Sequence, residues 1–158
     1  MKFAEFICTE SIQVDLKATE KEETIREMVL ALQKAGQIAP EDYDSIVASI
    51  IKREELGSTG IGRCVAVPHT KHGKIQKMVG TVGISPGGVK FDSLDGQPVH
   101  VLFMLVSPQS PPDEHLRALE HISRQLRDDT FRRFMMQVKS PEDVHQLLKE
   151  ADDNMYGN

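Results

Sequence analysis

Four stretches of the chain carry the apolar patterns of β-strands. Residues 12–16 alternate apolar and polar side chains, which is typical of a strand with one buried face. Residues 64–67, 78–84 and 99–106 are almost continuously apolar, and each run closes at a proline or a proline–glycine turn. Such runs indicate strands of a sheet that is covered on both faces.

Apolar residues spaced three and four positions apart predict helices between and after these strands. The first helix follows a Thr19–Glu22 capping box and ends before Gly36, and the second follows Pro40 and ends near residues 54–56. Three more helices are predicted over residues 111–126, 128–135 and 140–148. Because strands and helices interleave, the pattern indicates an α/β fold with a mostly buried sheet and helices on both faces.

Length and composition favour a single domain over residues 1–158. The 158 residues are 39% hydrophobic and 27% charged, and they contain no internal repeat or linker-like segment. We expect residues 151–158 to form a frayed tail. The net charge of −5 makes nucleic acids and anionic membrane surfaces poor candidate partners.

Cysteine usage and the N-terminal residues favour a cytoplasmic protein. Cys8 and Cys64 lie far apart and outside any Cys-x-x-Cys pair, so neither a disulfide framework nor a cysteine-rich zinc site is indicated. Glu5 and Glu10 interrupt the apolar residues at the N-terminus, and no signal-peptide cleavage pattern follows them. No segment approaches the roughly 20 apolar residues of a membrane-spanning helix.

The first candidate site lies between Arg53 and His69. His69 follows a short predicted strand that Pro68 ends, and open α/β sheets carry ligand chemistry beyond the carboxyl ends of their strands. The glycine-rich turn upstream could surround an anion with backbone N–H groups, and Arg53 could add a planar fork of donors. Each feature alone is more often a connector or a helix cap, but their clustering favours an anion site. The candidate phosphate-binding residues of the turn are Gly57, Ser58, Thr59 and Gly60.

His115 is the second candidate, in the first turn of the predicted helix over residues 111–126. The positive end of a helix disfavours an imidazolium, so the ring stays neutral and can donate a hydrogen bond to an anion. The alternative is a surface histidine that follows acidic first-turn residues. His100, His121 and His145 lie within a strand or among charged helix residues, and we interpret them as structural.

Metal and hydrolase chemistry have less support in the sequence. Cys64, His69 and His72 form a C-x4-H-x2-H array, but no companion pair completes the four ligands that zinc prefers. No G-x-S-x-G elbow is present, and Ser58 has no identifiable base. We therefore expect neither a metal nor another cofactor.

Residues 53–69, REELGSTGIGRCVAVPH, resemble the active-site region of the enzyme IIA family of the bacterial phosphoenolpyruvate-dependent phosphotransferase system. The likeness is to its fructose/mannitol and nitrogen-regulatory branch. Residues 91–108 and 114–128 resemble the same family, so the likeness covers nearly the whole chain in the right order. The resemblance implies the family fold, a single mixed β-sheet with helices on both faces.

The resemblance also implies a phosphotransferase component that works through a phosphohistidine. His69 would accept a phosphoryl group from a small phosphorylated carrier protein. His115 would contact the phosphoryl oxygens without being phosphorylated, and Arg53 would lie beside them. Phosphoryl transfer needs a nucleophile and preorganised donors, which these residue types supply without a metal. Thr70, Lys71 and His72 follow His69, where many relatives have a small residue and no second histidine, so the role of His72 stays open. Arg63 has no assigned role either.

Three downstream functions stay open. Because no enzyme IIB, IIC or carrier domain is fused to the sequence, we favour a free-standing nitrogen-regulatory protein that binds a regulated transporter or sensor kinase. The alternatives are a fructose/mannitol-class subunit that passes phosphate to an enzyme IIB, and a regulatory module that is not phosphorylated. For partner docking we expect apolar residues such as Ile61 and Val65 around His69, beside positive charge from Arg53, Arg63, Lys71 and Lys74.

Overall fold

A five-stranded mixed sheet organises residues 1–153, the part of the chain that the computed structural model describes. Its strands are β1 (Gly60–Gly62), β2 (Val65–Ala66), β3 (His69–Lys71), β4 (Val79–Val89) and β5 (Val99–Ser107). β4 pairs antiparallel with one edge of β5, and β2 and β3 pair parallel with the other. β1 extends the sheet beyond β2 as its antiparallel neighbour.

Helices cover both faces of this sheet, as the sequence predicts. They are α1 (Lys21–Lys34), α2 (Tyr43–Glu55), α3 (Asp113–Leu126), α4 (Asp129–Gln137) and α5 (Pro141–Asp152). Side chains of β5 lie alternately in two hydrophobic cores, one on each face of the sheet. Phe103 and Leu105 pack with α3, α4 and α5, whereas Met104 and Val106 pack with α1 and α2. Every residue of β5 except His100 is buried, which explains the continuous apolar run.

β2 and β3 are two short strands that lie end to end along the same edge of β5. Val65 pairs with Val101 and His69 with Leu105, so the register continues across the break at Pro68. The carbonyl of Pro68 still accepts a hydrogen bond from Leu105 N at 3.0 Å. His69 is therefore the first residue of β3, whereas the sequence pattern predicted that it lies just after the end of a strand. A proline keeps its carbonyl acceptor but has no N–H to donate.

Two other local predictions are wrong. Residues 12–16 do not form a strand. They lie along the edge of β4 and pair with it at an isolated bridge between Gln13 and Gly83. Bends at residues 14–15 turn Ile12 and Leu16 into opposite cores, which a strict alternation does not anticipate. The Thr19–Glu22 capping box is also absent, because Thr19 O accepts from Lys90 N and α1 begins after Glu20.

The C-terminal helix continues further than expected. α5 runs through Asp152, Ala151 is buried, and the Asp152 carboxylate accepts hydrogen bonds from Phe3 N and Ala4 N at 2.6 and 2.9 Å. The frayed tail expected from residue 151 is thus wrong at its beginning, and residues 154–158 lie outside the described residues. Within residues 1–153, no helix is both long and apolar enough to cross a membrane.

Candidate functional site

His69 is held at the first position of β3 with one ring nitrogen already occupied. Its Nδ1 lies 2.7 Å from the carbonyl oxygen of Val67. A carbonyl only accepts, so Nδ1 carries the proton of the neutral ring and donates it to Val67 O. Nε2 is then the ring nitrogen with a free lone pair, which is the atom that can act as a nucleophile.

His115 approaches His69 from the first turn of α3. The centroids of the two imidazole rings are 5.4 Å apart, although the residues are far apart in the sequence. His115 is buried, and its Nδ1 lies 2.6 Å from Ser107 Oγ, at the last residue of β5. The β3–β5 pairing places His69 close to the end of β5, where the chain turns into α3, and this brings the two rings together.

Both histidines are neutral near pH 7. Burial, followed by the charges of His69 and Lys71, lowers the pKa of His115 from 6.5 to about 4. Burial also lowers the pKa of His69; the hydrogen bond to Val67 O opposes this shift, and the charge of Arg53 adds to it. A neutral His69 keeps its lone pair, and a neutral His115 keeps one N–H donor.

Arg53 brings a cation to the same place from the last turn of α2. Its Nη1 donates a hydrogen bond of 2.9 Å to the carbonyl of Gly57, which orients the guanidinium and leaves other N–H donors for a ligand. Arg53, His69 and His115 share a surface cavity of about 610 Å³. Its other lining residues are Thr70, Lys71, Gln109, Leu116 and Leu119. The structure thus brings together the three principal residues named from the sequence.

The glycine-rich turn does not join them. Gly57, Ser58, Thr59 and Gly60 are absent from the lining of this cavity. The N–H of Gly57 donates to Glu54 O, that of Thr59 to Glu54 Oε1, and that of Gly60 to Ser58 Oγ. The hydroxyls of Ser58 and Thr59 donate to Phe91 O and to Glu54. These groups stabilise the loop, and Gly60 also meets Ser93, which leaves no room for a side chain there.

Sequence reasoning missed three residues that shape the site. Glu54 is buried at the end of α2, and its carboxylate accepts hydrogen bonds from Thr59 N and Thr59 Oγ1. It also forms an ion pair with Lys21, whose Nζ lies 3.1 Å from Glu54 Oε1. Ser107 contacts His115, and Gln109 lines the cavity. Ser107 and Gln109 follow the end of an apolar run, which is a weak signal. Helical spacing is the signal that could have found Glu54, because it lies four residues after Ile50 on the buried face of α2, whereas its neighbour Glu55 is exposed.

The comparison with protein-family models decides the family. Residues 5–151 match the family described as "Phosphoenolpyruvate-dependent sugar phosphotransferase system, EIIA 2". The chain belongs to this EIIA 2 family. The match covers both histidines and Arg53, and it confirms the family that the motif between Arg53 and His69 resembles.

Similar EIIA 2 proteins include both sugar-specific and nitrogen-regulatory ones. The chain is 33% identical over 152 residues to the "PTS system fructose-specific EIIABC component" of Bacillus subtilis (strain 168), covering 96% of this chain and 24% of that protein. It therefore spans about a quarter of the length of that relative. The structure of "Nitrogen Regulatory Protein IIA-Ntr from Neisseria meningitidis" superimposes with a TM-score of 0.84, at 29% identity, covering 92% of this chain and 98% of that chain.

A second similar structure contains a partner. It is the "Complex of enzyme IIAMTL and phosphorylated enzyme IIBMTL from Escherichia coli", with a TM-score of 0.74 and 25% identity, covering 89% of this chain and 94% of that chain. An EIIA domain of this fold thus binds a phosphorylated EIIB protein.

Three of the four remaining histidines of this EIIA 2 chain make their contacts outside the cavity. His72 Nε2 lies 2.9 Å from Ser45 Oγ, and His100 Nδ1 lies 2.7 Å from Ser85 O. The ring of His121 packs on Phe3 with centroids 4.4 Å apart. Among residues 1–153, no three His, Cys, Asp or Glu side chains are grouped so that they could hold a metal ion, and this includes the Cys64–His69–His72 array.

Proposed function

We propose that this EIIA 2 chain is a phosphohistidine carrier in which His69 Nε2 accepts a phosphoryl group from a phosphorylated histidine-containing carrier protein. The observation that carries the proposal is the hydrogen bond from His69 Nδ1 to Val67 O. It leaves a single nucleophilic nitrogen on a ring that shares its cavity with Arg53 and His115. Membership of a phosphoryl-transfer family supports the same reaction.

The transfer step balances without a cofactor. The lone pair of His69 Nε2 forms a new P–N bond while the P–N bond of the donor breaks, and that electron pair returns to the donor imidazole. A donor ring that retains its own N–H leaves as neutral imidazole. The Nδ1 proton of His69 stays on the ring, and the Val67 carbonyl stabilises the positive charge that the ring gains.

The cavity supplies donors for the phosphoryl oxygens. Arg53 offers a cationic fork, and His115 offers one N–H from a neutral ring, since burial keeps its pKa low. Lys71 follows His69 by two residues on β3, so the two side chains lie on the same face of the strand, and it adds a second positive charge to the lining. These groups stabilise charge on the transferring phosphoryl group.

Partner proteins would dock on the exposed apolar residues beside the cavity. Leu116 on α3 lines the cavity and is 63% exposed, and Leu56, which follows α2 three residues after Arg53, is 83% exposed. Ile61 is exposed as the docking prediction requires, but Val65 is buried, because its side chain packs in the core with α3 and α4. Exposed apolar side chains beside a phosphoryl site suit a transient protein partner.

Among the downstream roles, we propose the nitrogen-regulatory one. The similarity to the Neisseria meningitidis protein extends over 98% of that chain and supports this role. A second candidate is a sugar-transport subunit that passes the phosphoryl group to an EIIB protein. The 33% identity to the fructose-specific component favours that candidate.

Intact-mass spectrometry tests the carrier proposal. The protein is incubated with phosphoenolpyruvate, enzyme I and the small carrier protein, and we expect one acid-labile phosphoryl increment. His69→Ala should abolish the increment, whereas His72→Ala, a matched histidine three residues away, should retain it. Labelling of His69→Ala to the native extent would overturn the assignment. No increment in the native protein, beside an active control EIIA protein, would favour the regulatory module that is not phosphorylated.

A transfer assay separates the two downstream roles. The labelled protein is mixed with a purified fructose-type EIIB domain, and the loss of label is followed by mass. Retention of the phosphoryl group is expected for the regulatory role. Transfer at the rate of a known fructose EIIA domain would favour the sugar-transport role instead.

A further inference from the structure

The side chains of Ser107 and His115 form a buried pair at the edge of the candidate site. Ser107 Oγ lies 2.6 Å from His115 Nδ1, and the two residues are 2% and 4% exposed. Among the hydrogen bonds of residues 1–153, this is the one that involves Ser107 Oγ. A buried hydroxyl and imidazole at this distance share one proton, so the donor's identity decides which tautomer His115 adopts.

The two possible arrangements differ in what they leave unpaired. If Ser107 Oγ–H donates to Nδ1, the proton of neutral His115 lies on Nε2, where it can donate to a phosphoryl oxygen. If Nδ1–H donates to Ser107 Oγ, the serine proton has no acceptor in a buried position, and Nε2 presents a lone pair. Buried donors without acceptors are unfavourable, and a lone pair repels an anionic oxygen. The first arrangement is therefore the more stable one.

Ser107 is itself held by the strand that carries His69. It pairs with Lys71 in the β3–β5 register, and its carbonyl accepts from His72 N at 2.8 Å. The hydroxyl therefore has a fixed position relative to β3. Through it, the orientation of the His115 ring is coupled to the position of His69.

We infer that Ser107 is a positioning residue: its hydroxyl donates to His115 Nδ1 and thereby makes Nε2–H of His115 the hydrogen-bond donor for the phosphoryl group on His69. The inference rests on the proposed phosphocarrier function, which supplies that phosphoryl group. Ser107 does not touch the reacting atoms and acts through His115. Neutrality of His115 near pH 7 is consistent with this role, because an imidazolium would need no tautomer to be selected.

The test measures the tautomer and the rate in the same variants. Two-bond ¹H–¹⁵N NMR on the unphosphorylated full chain distinguishes protonated from unprotonated ring nitrogens of His115. Phosphoryl transfer to His69 is then measured by mass. The variants are Ser107→Ala, which removes the hydroxyl, and Ser107→Thr, which retains it. Ser85→Ala is the matched control: Ser85 is a buried serine on β4 whose Oγ accepts from Gly88 N at 3.0 Å.

The native protein should show protonated Nε2 and unprotonated Nδ1 at His115. Ser107→Ala should lose this single tautomer and transfer about two- to tenfold more slowly, the loss expected for one hydrogen bond. Ser107→Thr and Ser85→Ala should keep both native properties. The amide spectrum of Ser107→Ala would reveal an altered fold. In that case the tautomer of the native protein and the behaviour of Ser107→Thr still test the inference.

Two results would overturn the inference. One is protonated Nδ1 at His115 in the native protein, and the other is an unchanged tautomer in folded Ser107→Ala. Both are read without any phosphoryl transfer. They are therefore distinct from absence of label on native His69, which would refute the proposed function instead.

Discussion

Acidification should destabilise the protein through His115. The pKa of His115 is lowered from 6.5 to about 4 in the folded state, chiefly because the ring is buried. The unfolded chain therefore binds the proton first as the pH falls, and folding stability falls with it. The contribution is fully favourable above pH 6.5 and is lost progressively towards pH 4. The predicted loss is about 2 kcal/mol between pH 7 and pH 5, and about 3 kcal/mol by pH 4.

Urea unfolding at a series of pH values measures this loss, and a variant isolates the contribution of His115. Carboxylates also change the free energy of unfolding below pH 5, but they do so in both the native protein and His115→Gln. The difference between their two curves should therefore change by about 2 kcal/mol from pH 7 to pH 5. NMR titration of the His115 ring in the native protein gives the folded pKa directly. Parallel unfolding curves, or a His115 ring that titrates near 6.5, would refute the reasoning.

Two further predictions concern the end of α2. Arg53→Ala should slow phosphorylation of His69 by about 10- to 100-fold, the effect of a lost hydrogen bond to a charged group, and should lower the free energy of unfolding by only about 0.5 kcal/mol. A native labelling rate in this variant, with Lys52→Ala as the control for a nearby cation, would remove Arg53 from the site. Glu54→Gln should lower the free energy of unfolding by about 1–3 kcal/mol, because both carboxylate oxygens accept hydrogen bonds in a buried position. Urea unfolding checks this against Glu55→Gln at the exposed neighbour, and equal stabilities of the two variants would contradict the role of Glu54.

The spacing of apolar residues predicted most of the helices and strands, because that spacing and the helix caps depend on residues that are close in the sequence. The apolar run of residues 99–106 corresponds to β5, whose two faces are both buried. Asp128 and Ser140 cap α4 and α5 through contacts with backbone N–H groups three residues away, so the sequence around them contains the whole signal. Residues 12–16 were predicted wrongly because their environment is set by the edge of β4, which is distant in the sequence.

For the candidate site, too, the structure brings together some of the predicted residues and not the others. His69, Arg53 and His115 could be named from the sequence, since their residue types suit phosphoryl chemistry and the motif around His69 resembles a known family. The turn at residues 57–60 was assigned to phosphate because glycines and hydroxyls suit an anion. In the tertiary structure these donors bond within the loop and to its neighbours instead: Thr59 to the buried Glu54 carboxylate, Ser58 to Phe91 O, and Gly60 N to Ser58 Oγ.

The sequence by itself determined most of the helices and strands, the faces that they bury, and the three principal side chains that suit the chemistry, because these properties depend on residue type and short-range spacing. Only the tertiary structure decided that His115 lies beside His69 and that Ser107 contacts His115. Those contacts depend on the parallel register between β3 and β5 and on the turn into α3. No local pattern specifies a register between distant segments, because it results from packing both faces of the sheet at once.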